Sequence, residues 1–510
     1  MDRVKIGWGR REVSMEGPLS IAGQMHIRIS EGVMDPLYVT ALCIDGGAGM
    51  DQVIFLSGDT ATVYGNLLQP IFDAVKAKDA SIPTDAIIFN ATHTHAAPGI
   101  GGTADRTPDG MPYIPGNTYK AFFVEQCAEA VVEAWQTRKE GGIGYGYGYA
   151  VAGHSRRTVY FEDEMMARNA TRPRDFMTPR GYGVMYGNPN NPLFSHYEAG
   201  ADHFLNLLFT FDEAEKLTGI VVNVPCPSQC GGNLYQLSAD YWHNVRELVA
   251  AEFGRDVFIL PQCAAAGDLS PQILHYKDAE ARRIGLKYGL VYDNAKRGQR
   301  DQYEIWVEGN RREIAGRIMD GIRDVFSWAK KEIFTQLPVR HMSQVMSLER
   351  RAITEEEKQW CQDNLELLAQ QEPKAEEMDP EQFRIAMSRH RSAVRRNEGG
   401  IERCEEVKQQ PNMDMLAHVV QIGDVGFATM RFELYQDFMH RLQARSPFIQ
   451  TFVVQLCGDE GGNYLATKRA VAAKGYSASM FCNKVSANGG HQWVENCLQL
   501  FAQMKEQDNP

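Results

Sequence analysis

Length, composition and charge place this chain among large globular proteins. It has 510 residues, of which 44% are hydrophobic and 23% are charged, so it is neither disordered nor fibrous. The formal net charge of -12 leaves no broad basic surface that could neutralise a phosphate backbone, which disfavours nucleic acid as a partner. We therefore expect a small-molecule substrate.

Localisation and redox state are predicted from what the chain lacks. The segment from Met1 to Arg10 has no apolar signal-peptide core, and no later run approaches the roughly 18 apolar residues of a membrane helix. We expect a cytoplasmic protein without integral membrane association, although a signal peptide removed before the printed start is compatible with this chain. The ten cysteines are scattered, which predicts reduced core thiols, and the pair Cys226 and Cys230 alone is a weak zinc signal.

The first predicted elements alternate strand and helix. Residues 53–56 form a short apolar strand that runs into Ser57-Gly58-Asp59, and residues 63–76 have the apolar spacing of a helix. Strand, polar residues and helix in this order predict an α/β fold. Asp59 could bind a metal ion, support a ligand, or cap the helix that follows it.

Two histidines follow the next apolar run, residues 86–89, in the stretch Thr92-His93-Thr94-His95. Because side chains alternate along a strand, histidines two residues apart are expected to point the same way and to converge on one ion or substrate. Histidine is the commonest metal ligand and titrates near neutral pH. A chance surface pair is the alternative, but the end of a strand in an α/β sheet favours a site.

The segment after the histidines mixes loops with regular structure. Residues 100–118 are rich in Gly, Pro and Asp, which predicts a loop that could cover the substrate, and residues 119–138 are predicted to be a helix. Gly144 to Tyr149 alternates strictly, which predicts a strand with a tyrosine face rather than a dinucleotide loop. The adjacent Arg156 and Arg157 could reach the substrate or form a solvated pair. Residues 160–200 are polar and are predicted to run over the surface.

The middle of the chain has two further strand ends that carry polar groups. Residues 205–211 and 219–223 predict a hairpin whose second strand leads into Gln229, and residues 257–260 predict a strand that leads into Asp268 and Ser270. Ser270 lacks the Gly-x-Ser-x-Gly elbow, so a conventional triad is not indicated.

Between these two strands lies a predicted helix. Ser238 is a reasonable cap for its start, and Asp240 and His243, three residues apart, would share one face near that start.

The last third of the chain is predicted to contain an inserted helical arm. Residues 307–330 form a predicted helix, and the charge-rich region up to residue 410 is mostly helical, with 354–370 and 380–396 as its best segments. A solvated helical hairpin is the default interpretation of the arm, and the alternatives are that it covers the site or serves subunit contacts in a homo-oligomer. A strand-rich pattern then returns and places Glu433 after an apolar run.

Taken together, these strand-end motifs resemble the catalytic domain of the neutral/alkaline ceramidase family. The members of this family are zinc amidases that cleave the amide of N-acylsphingosines. The family's Thr-His-Thr-His-Ser-Gly-Pro-Gly is similar to the stretch from Thr92 to Gly99, and its Gly-Asp-Val-Ser-Pro-Asn is similar to Gly267 to Gln272. The family's Asn-Arg motif, metal-binding glutamate, Gly-Tyr motif and later tyrosine fall on Ser155-Arg156, Glu433, Asn463-Tyr464 and Tyr476. The match spans nearly the whole chain.

The resemblance implies both an architecture and a site. It implies one large α/β catalytic domain over residues 1–510, with mixed β-sheets flanked by helices. The charge-rich pattern adds a helical insertion at 345–410, and we expect no C-terminal immunoglobulin-like domain, which is a departure from true ceramidases. Zn2+ or another divalent metal would lower the pKa of bound water and polarise the carbonyl. The resemblance makes the metal ligands His93, Glu433 and Tyr464, with His95 beside the ion, and the residues acting on the amide Ser270, Arg156 and Tyr476.

Two departures from the family matter. Gln229 stands where the family has its second histidine ligand, and an amide oxygen suits zinc less well than imidazole does. The ion would then be held by Gln229 or by another group, and the candidates for this role or for supporting it are His95, Asp59, Asp240, His243 and Asp268. With no apolar membrane-facing stretch, ceramide itself is not the expected substrate.

The sequence therefore predicts a metal-dependent hydrolase that cleaves an amide or related bond of a small polar substrate. Ser270 would attack the carbonyl or orient the attacking water. Two alternatives stay open: a metal-dependent hydrolase or lyase acting on a sugar-derived compound, and a non-catalytic binding protein of the same fold.

Overall fold

The computed structural model describes residues 2–65, 67–101, 113–458 and 461–508, so the predicted lid at 100–118 lies mostly outside the described residues. The described strands are β1 (Lys5–Glu12), β2 (Tyr38–Asp45), β3 (Gln52–Gly58), β4 (Ile87–Ala91), β5 (Lys139–Tyr149), β6 (His154–Ser155), β7 (Arg157–Tyr160), β8 (Gly183–Met185), β9 (Phe194–Tyr197), β10 (Phe204–Asp212), β11 (Leu217–Val224), β12 (Phe258–Cys263), β13 (Leu269–Ser270), β14 (Val339–Glu349), β15 (Asn412–Ile422), β16 (Val425–Thr429), β17 (Glu433–Leu434), β18 (Gln450–Val454) and β19 (Tyr464–Leu465). The described helices are α1 (Leu68–Lys78), α2 (Gly116–Gln136), α3 (Glu162–Ala170), α4 (Tyr241–Phe253), α5 (Lys277–Tyr288), α6 (Arg300–Ala329), α7 (Glu355–Leu368), α8 (Pro380–Gln409), α9 (Gln436–Arg445), α10 (Lys468–Ala473) and α11 (Ala487–Glu506).

Two sheets form the centre of the fold. The first has eight strands in the order β12-β11-β10-β5-β1-β2-β3-β4, and the second has four in the order β14-β15-β16-β18. Most neighbours are antiparallel, but β3 pairs with β4, β11 with β12 and β16 with β18 in parallel. A parallel pair needs a crossover connection, and α1, α4 and α9 lie in the three connections.

The two sheets pack face to face between two layers of helices. One face of the first sheet packs on α1, α2, α4 and α6, and its other face packs on the second sheet, where the rings of Phe55 and Phe427 are 5.0 Å apart. The far face of the second sheet packs on α9 and α11, with Trp493 fully buried. Because most central strands are buried on both faces, they are apolar runs rather than alternating patterns. The predicted α/β class with mixed sheets flanked by helices is confirmed.

The eight-stranded sheet curls, so that its edge strand β12 lies against β3 and β4. The Ser57 hydroxyl and the Asn90 amide both donate to the backbone carbonyl of Pro261, at 2.6 Å and 3.1 Å. This curvature brings the segments that follow β4, β11 and β12 to one place, and the functional site is built there.

Strand β5 carries the predicted tyrosine face, and its glycines have a packing reason. A Cβ added to Gly146 would lie 2.2 Å from the Trp328 ring of α6, and one added to Gly148 would lie 2.8 Å from Val325. On the other face, Tyr147 is half exposed. The alternation therefore lets α6 approach the sheet closely.

The helical arm is inserted into a long hairpin. β14 and β15 pair antiparallel over their full eleven residues, and α7 and α8 lie between them in sequence. Residues 345–349 belong to β14, so the helical part begins at Glu355 rather than at 345. Ser392 of α8 donates to the Met25 carbonyl at 3.0 Å, and the Arg396 guanidinium lies 5.1 Å from the centre of the Tyr476 ring. The arm thus packs beside the loop that carries Tyr476.

Several local expectations differ from the structure. Helix α1 begins at Leu68, five residues later than its apolar spacing predicted. Ser238 does not cap α4, because its hydroxyl donates to Asp35 at 2.8 Å, and the cap is Asp240, whose carboxylate accepts from the Tyr241 N–H at 2.8 Å. The polar region 160–200 carries α3 and a three-stranded sheet, β8-β7-β9.

The cysteine side chains lie in the core of the protein. All ten cysteines are free and buried, as expected for core thiols. Among the helices of the described segments, none has the length and apolar character that a membrane span requires.

A buried ion pair ties strand β3 to helix α4. Asp59 accepts from both terminal nitrogens of Arg246, at 2.7 Å and 3.1 Å, and from the Tyr38 N–H at 2.9 Å. The Asp59 side chain is fully buried and that of Arg246 is 9% exposed. Asp59 therefore does not cap α1, because its oxygens are engaged by another element.

We predict that Asp59→Asn destabilises the protein by about 3 kcal/mol, because it leaves the Arg246 charge buried without its partner. Urea unfolding followed by circular dichroism measures this free energy. The control is Glu31→Gln, which breaks an exposed pair with Arg300 and is expected to cost less than about 1 kcal/mol. Equal effects of the two substitutions would contradict the prediction.

Candidate functional site

The two predicted histidines meet, but not by strand alternation. Strand β4 ends at Ala91, and His93 has a φ of 66°, in the left-handed region that side chains other than glycine rarely adopt. The His93 N–H donates to the Thr60 carbonyl at 3.0 Å and holds this conformation. The His93 and His95 rings lie edge to face with centroids 4.7 Å apart, and their Nε2 atoms are 3.4 Å apart. The convergence is observed, and its predicted cause is wrong.

Both imidazoles are oriented by a hydrogen bond to the backbone, made by the ring nitrogen that points away from the site. His93 Nδ1 lies 2.5 Å from the Ala61 carbonyl, which makes Nδ1 the protonated nitrogen and turns Nε2 towards the site. His95 has a backbone hydrogen bond with Gly23. Burial, together with the charge of His93 whenever it is protonated and the charges of Arg28 and Arg156, lowers the pKa of His95 well below its usual value, so His95 is neutral.

Arg156 lies at the centre of the site. Its side chain is fully buried, and its guanidinium donates to the Glu433 carboxylate at 3.0 Å, the Gly267 carbonyl at 2.9 Å and the Tyr464 hydroxyl at 3.4 Å. The other terminal nitrogen donates to the Gln229 amide oxygen at 3.3 Å. The alternative of a solvated arginine pair is wrong, because both Arg156 and its neighbour Arg157 are buried and paired.

Glu433 is the acceptor on which the positive groups converge. Its Oε2 atom is 3.3 Å from His93 Nε2 as well as 3.0 Å from Arg156. Burial alone would raise the pKa of Glu433, but the charge and hydrogen bond of His93 whenever it is protonated, the charge of Arg156 and a hydrogen bond from Tyr464 outweigh it, and the pKa is lowered. Glu433 is therefore ionised, and β17 pairs it in register with Tyr464 on β19.

Gln229 links His95 to Arg156. Its amide nitrogen lies 2.6 Å from His95 Nε2, and its oxygen accepts from Arg156 and from the Tyr186 hydroxyl, each at 3.3 Å. Because both neighbours of the oxygen are donors, the amide has one favourable orientation. The turn that carries Gln229 is held by Asp240, whose carboxylate accepts from the Gly231 N–H at 2.7 Å.

Ser270 and Asp268 lie beside Arg156 on a short strand pair. β13 pairs antiparallel with β6, and the Asp268 carbonyl accepts from the Arg156 N–H at 3.1 Å. The buried Ser270 hydroxyl accepts from the Gln272 N–H at 3.1 Å. Burial raises the pKa of Asp268 to about 6, although hydrogen bonds from Gln436 oppose the shift. Asp268 thus anchors the segment before helix α9.

The two predicted tyrosines lie next to each other. The Tyr464 and Tyr476 rings meet edge to face at 6.0 Å. Burial raises the pKa of both phenols, so they are neutral hydrogen-bond donors.

Of the remaining candidates, Asp59 bonds the Arg246 guanidinium and Asp240 bonds the Gly231 N–H. Neither carboxylate faces the two imidazoles. His243 lies in the first turn of α4, and in the described parts of the chain its side chain makes no contact with the cluster.

Tyr186 is a site residue that sequence reasoning missed. It accepts from Arg156 at 3.2 Å, donates to Gln229, and its backbone N–H donates to the Arg156 carbonyl at 2.7 Å. Its φ of 58° is strained for a tyrosine, and 40% of the residue is exposed, so it links the buried cluster to solvent. It follows β8 in the polar region 160–200, and no sequence pattern distinguishes it from other surface tyrosines.

The donor atoms do not fit a zinc ion as they are arranged. Catalytic zinc sites use three protein ligands plus water. The His95 nitrogen is met by the Gln229 amide, and Arg156 donates to Glu433 and Tyr464. Over the ranges that the structure describes, no three histidine, cysteine, aspartate or glutamate side chains form a group that could hold a metal ion. The predicted Zn2+ site stays a prediction without support from this geometry.

Comparisons with known proteins identify the fold. No family model and no curated protein sequence matches the chain. Among solved structures, it is similar to neutral ceramidase from Pseudomonas aeruginosa, with a TM-score of 0.67 and 14% identity, over 99% of this chain and 75% of that one. It is also similar to a ceramidase complexed with C2, with a TM-score of 0.64 and 12% identity, over 99% of this chain and 76% of that one. The chain therefore has the ceramidase fold.

We predict that the free energy of unfolding falls as the pH rises from 3.8, the ordinary pKa of Asp268, to about 6, its pKa in the folded protein. The raised pKa means that the folded protein binds this proton more tightly than the unfolded chain does, and deprotonation removes that advantage. Asp268→Asn, which cannot ionise, should flatten this part of the pH profile. Urea unfolding at a pH just above the ordinary pKa of Asp268 and again at neutral pH measures this change in the free energy of unfolding. The exposed Asp256→Asn is the control, and an unchanged slope in Asp268→Asn would contradict the prediction.

Proposed function

We propose that this protein is a hydrolase that cleaves an amide, or a related C–N bond, in a small polar substrate. The observation that carries the proposal is the buried cluster in which Arg156 and His93 converge on the Glu433 carboxylate, with Tyr464 beside it. This cluster lies on the fold of two solved ceramidases. It combines hydrogen-bond donors for a developing oxyanion with imidazoles that can accept a proton.

Each group has a distinct chemical task. The neutral Tyr476 phenol donates to the carbonyl oxygen as it gains negative charge, and the buried Arg156 cation stabilises that charge electrostatically while its N–H groups hold Glu433 and Tyr464. His93 takes the proton of the attacking water through Nε2, because its Nδ1 is fixed on Ala61. Glu433 stabilises the imidazolium that forms, 3.3 Å away.

The reaction balances with water as the only co-reactant. A bond forms between the water oxygen and the carbonyl carbon, and the C–N bond breaks. The proton taken by His93 passes to the leaving nitrogen, and the products are a carboxylic acid and an amine. We assign Ser270 to orienting the water, since its hydroxyl has no hydrogen bond to a histidine or carboxylate among the described side chains.

One cavity includes a residue assigned to the amide. It measures about 210 Å3, below the usual range of ligand pockets, and its lining includes Tyr476, Gly475, Val184 and Met185. A larger cavity, of about 580 Å3, is lined by none of the cluster residues. The presence of Tyr476 in the lining supports substrate entry beside this residue.

A screen of small N-acyl compounds, with release of the amine as the readout, tests the proposal. His93→Ala should lower kcat/KM for any compound cleaved by about 100-fold or more, as expected for loss of a general base. His196→Ala, at an exposed histidine on β9, is the matched control and should be unchanged. Hydrolysis that survives in His93→Ala, or the absence of hydrolysis across the screen, would contradict the proposed function.

We further predict that Tyr186→Phe lowers kcat/KM about fivefold, because one hydrogen bond worth roughly 1 kcal/mol no longer holds the Gln229 amide. Thermal unfolding should change little, since the side chain is partly exposed. Tyr197→Phe, which removes a phenol that bonds His275 on the same surface region, is the control. Equal activities of Tyr186→Phe and the wild type would show that this tyrosine does not act in the site.

A further inference from the structure

We propose that the guanidinium of Arg156 is the permanent cation of this site and does the work that the ceramidase resemblance assigns to a divalent metal. The inference rests on the proposed function, because a fixed positive charge is needed only if an oxyanion develops. It also states something that the fold does not require, namely that the chain binds no catalytic metal ion.

The first argument is that Arg156 already uses the lone pairs that an ion would need. Its N–H groups donate to Glu433 at 3.0 Å, to Tyr464 at 3.4 Å and to the Gln229 oxygen at 3.3 Å. These three residues are three of the positions that the resemblance assigns to the metal. Arginine does not lose its proton in proteins, so these bonds are present at every working pH.

The second argument is the orientation of the Gln229 amide. Its oxygen is fixed between Arg156 and Tyr186, so its nitrogen faces His95 Nε2 at 2.6 Å. An amide N–H occupies the lone pair that His95 would offer to a metal. Because Arg156 also donates to the Tyr464 hydroxyl, the predicted ligand set is left with His93 Nε2 and the Glu433 oxygen that Arg156 does not bond, and two ligands are fewer than the three of catalytic zinc sites.

The third argument is charge. Full burial of Arg156 is compensated by the carboxylate of Glu433, and the side chain at the position of the family's second histidine, Gln229, is neutral. The positive charge of Arg156 and the negative charge of Glu433 cancel each other without a bound ion.

Elemental analysis and thermal unfolding of the full chain test this directly. Wild type is incubated with equimolar Zn2+, Mn2+ or Ca2+, dialysed, and measured with and without a chelator. We expect no stoichiometric metal and no shift in Tm with metal or chelator. Stoichiometric metal in the wild type, with a fall in Tm when the chelator removes it, would overturn the inference.

Two variants test the inference in the opposite direction, because they are expected to gain zinc binding. Gln229→His combined with Arg156→Ala frees the lone pairs and adds an imidazole, so we expect about one zinc per chain and a rise in Tm with zinc. Gln229→His alone, which keeps Arg156, covers the case in which the double variant does not fold, and we expect weaker zinc binding from it. Gln370→His, at an exposed position after α7, controls for zinc binding by an added surface histidine.

The outcomes separate this inference from the proposed function. If the folded double variant binds no more zinc than Gln370→His, Arg156 is not what excludes the ion, and the inference fails. Stoichiometric zinc in the wild type also removes the inference, and it leaves a hydrolase with a metal. A screen in which no amide is cleaved removes the proposed function, and the metal content is measured independently of it.

Discussion

The ion pair between Arg156 and Glu433 is the contact on which the site depends. A fully buried guanidinium is stable only when its charge is compensated and its N–H groups are bonded, and Glu433 supplies the charge while Gly267, Tyr464 and Gln229 supply acceptors. These partners come from segments that are far apart in sequence. One side chain therefore fixes the relative positions of the groups that surround it.

The sheets bring these segments together. The polar residues follow strands β4, β11, β12, β16 and β18, and the curl of the eight-stranded sheet, closed through the Pro261 carbonyl, carries the first three to one place. The strained His93 is held by backbone bonds to Thr60 and Ala61. Residues kept in rare conformations cluster at functional sites, because the surrounding structure over-determines them.

Residues marked by the sequence as strand-end polar groups divide into two sets once their partners are known. Gln229, Glu433 and Tyr464 bond Arg156, and His93 lies against Glu433. Asp59 and Asp240 carry the same local signature but bond Arg246 and the turn before α4, because those donors lie nearer. A sequence shows that a carboxylate follows a strand. Which hydrogen-bond donor the carboxylate binds depends on how the elements pack in the tertiary structure.

Local chemistry was sufficient to predict the α/β class, most strands and helices, and the two histidines at a strand end, whereas Glu433, Tyr464 and Tyr476 were predicted from the family resemblance. Periodicity of apolar side chains depends only on residues close in sequence, and so do the glycines of β5 and the run into Thr92. Tertiary structure decided that Arg156 is buried, that Tyr186 belongs to the site, and that the Gln229 nitrogen faces His95. These depend on contacts such as that between Arg156 and Glu433, 277 residues apart, whose geometry no local pattern records.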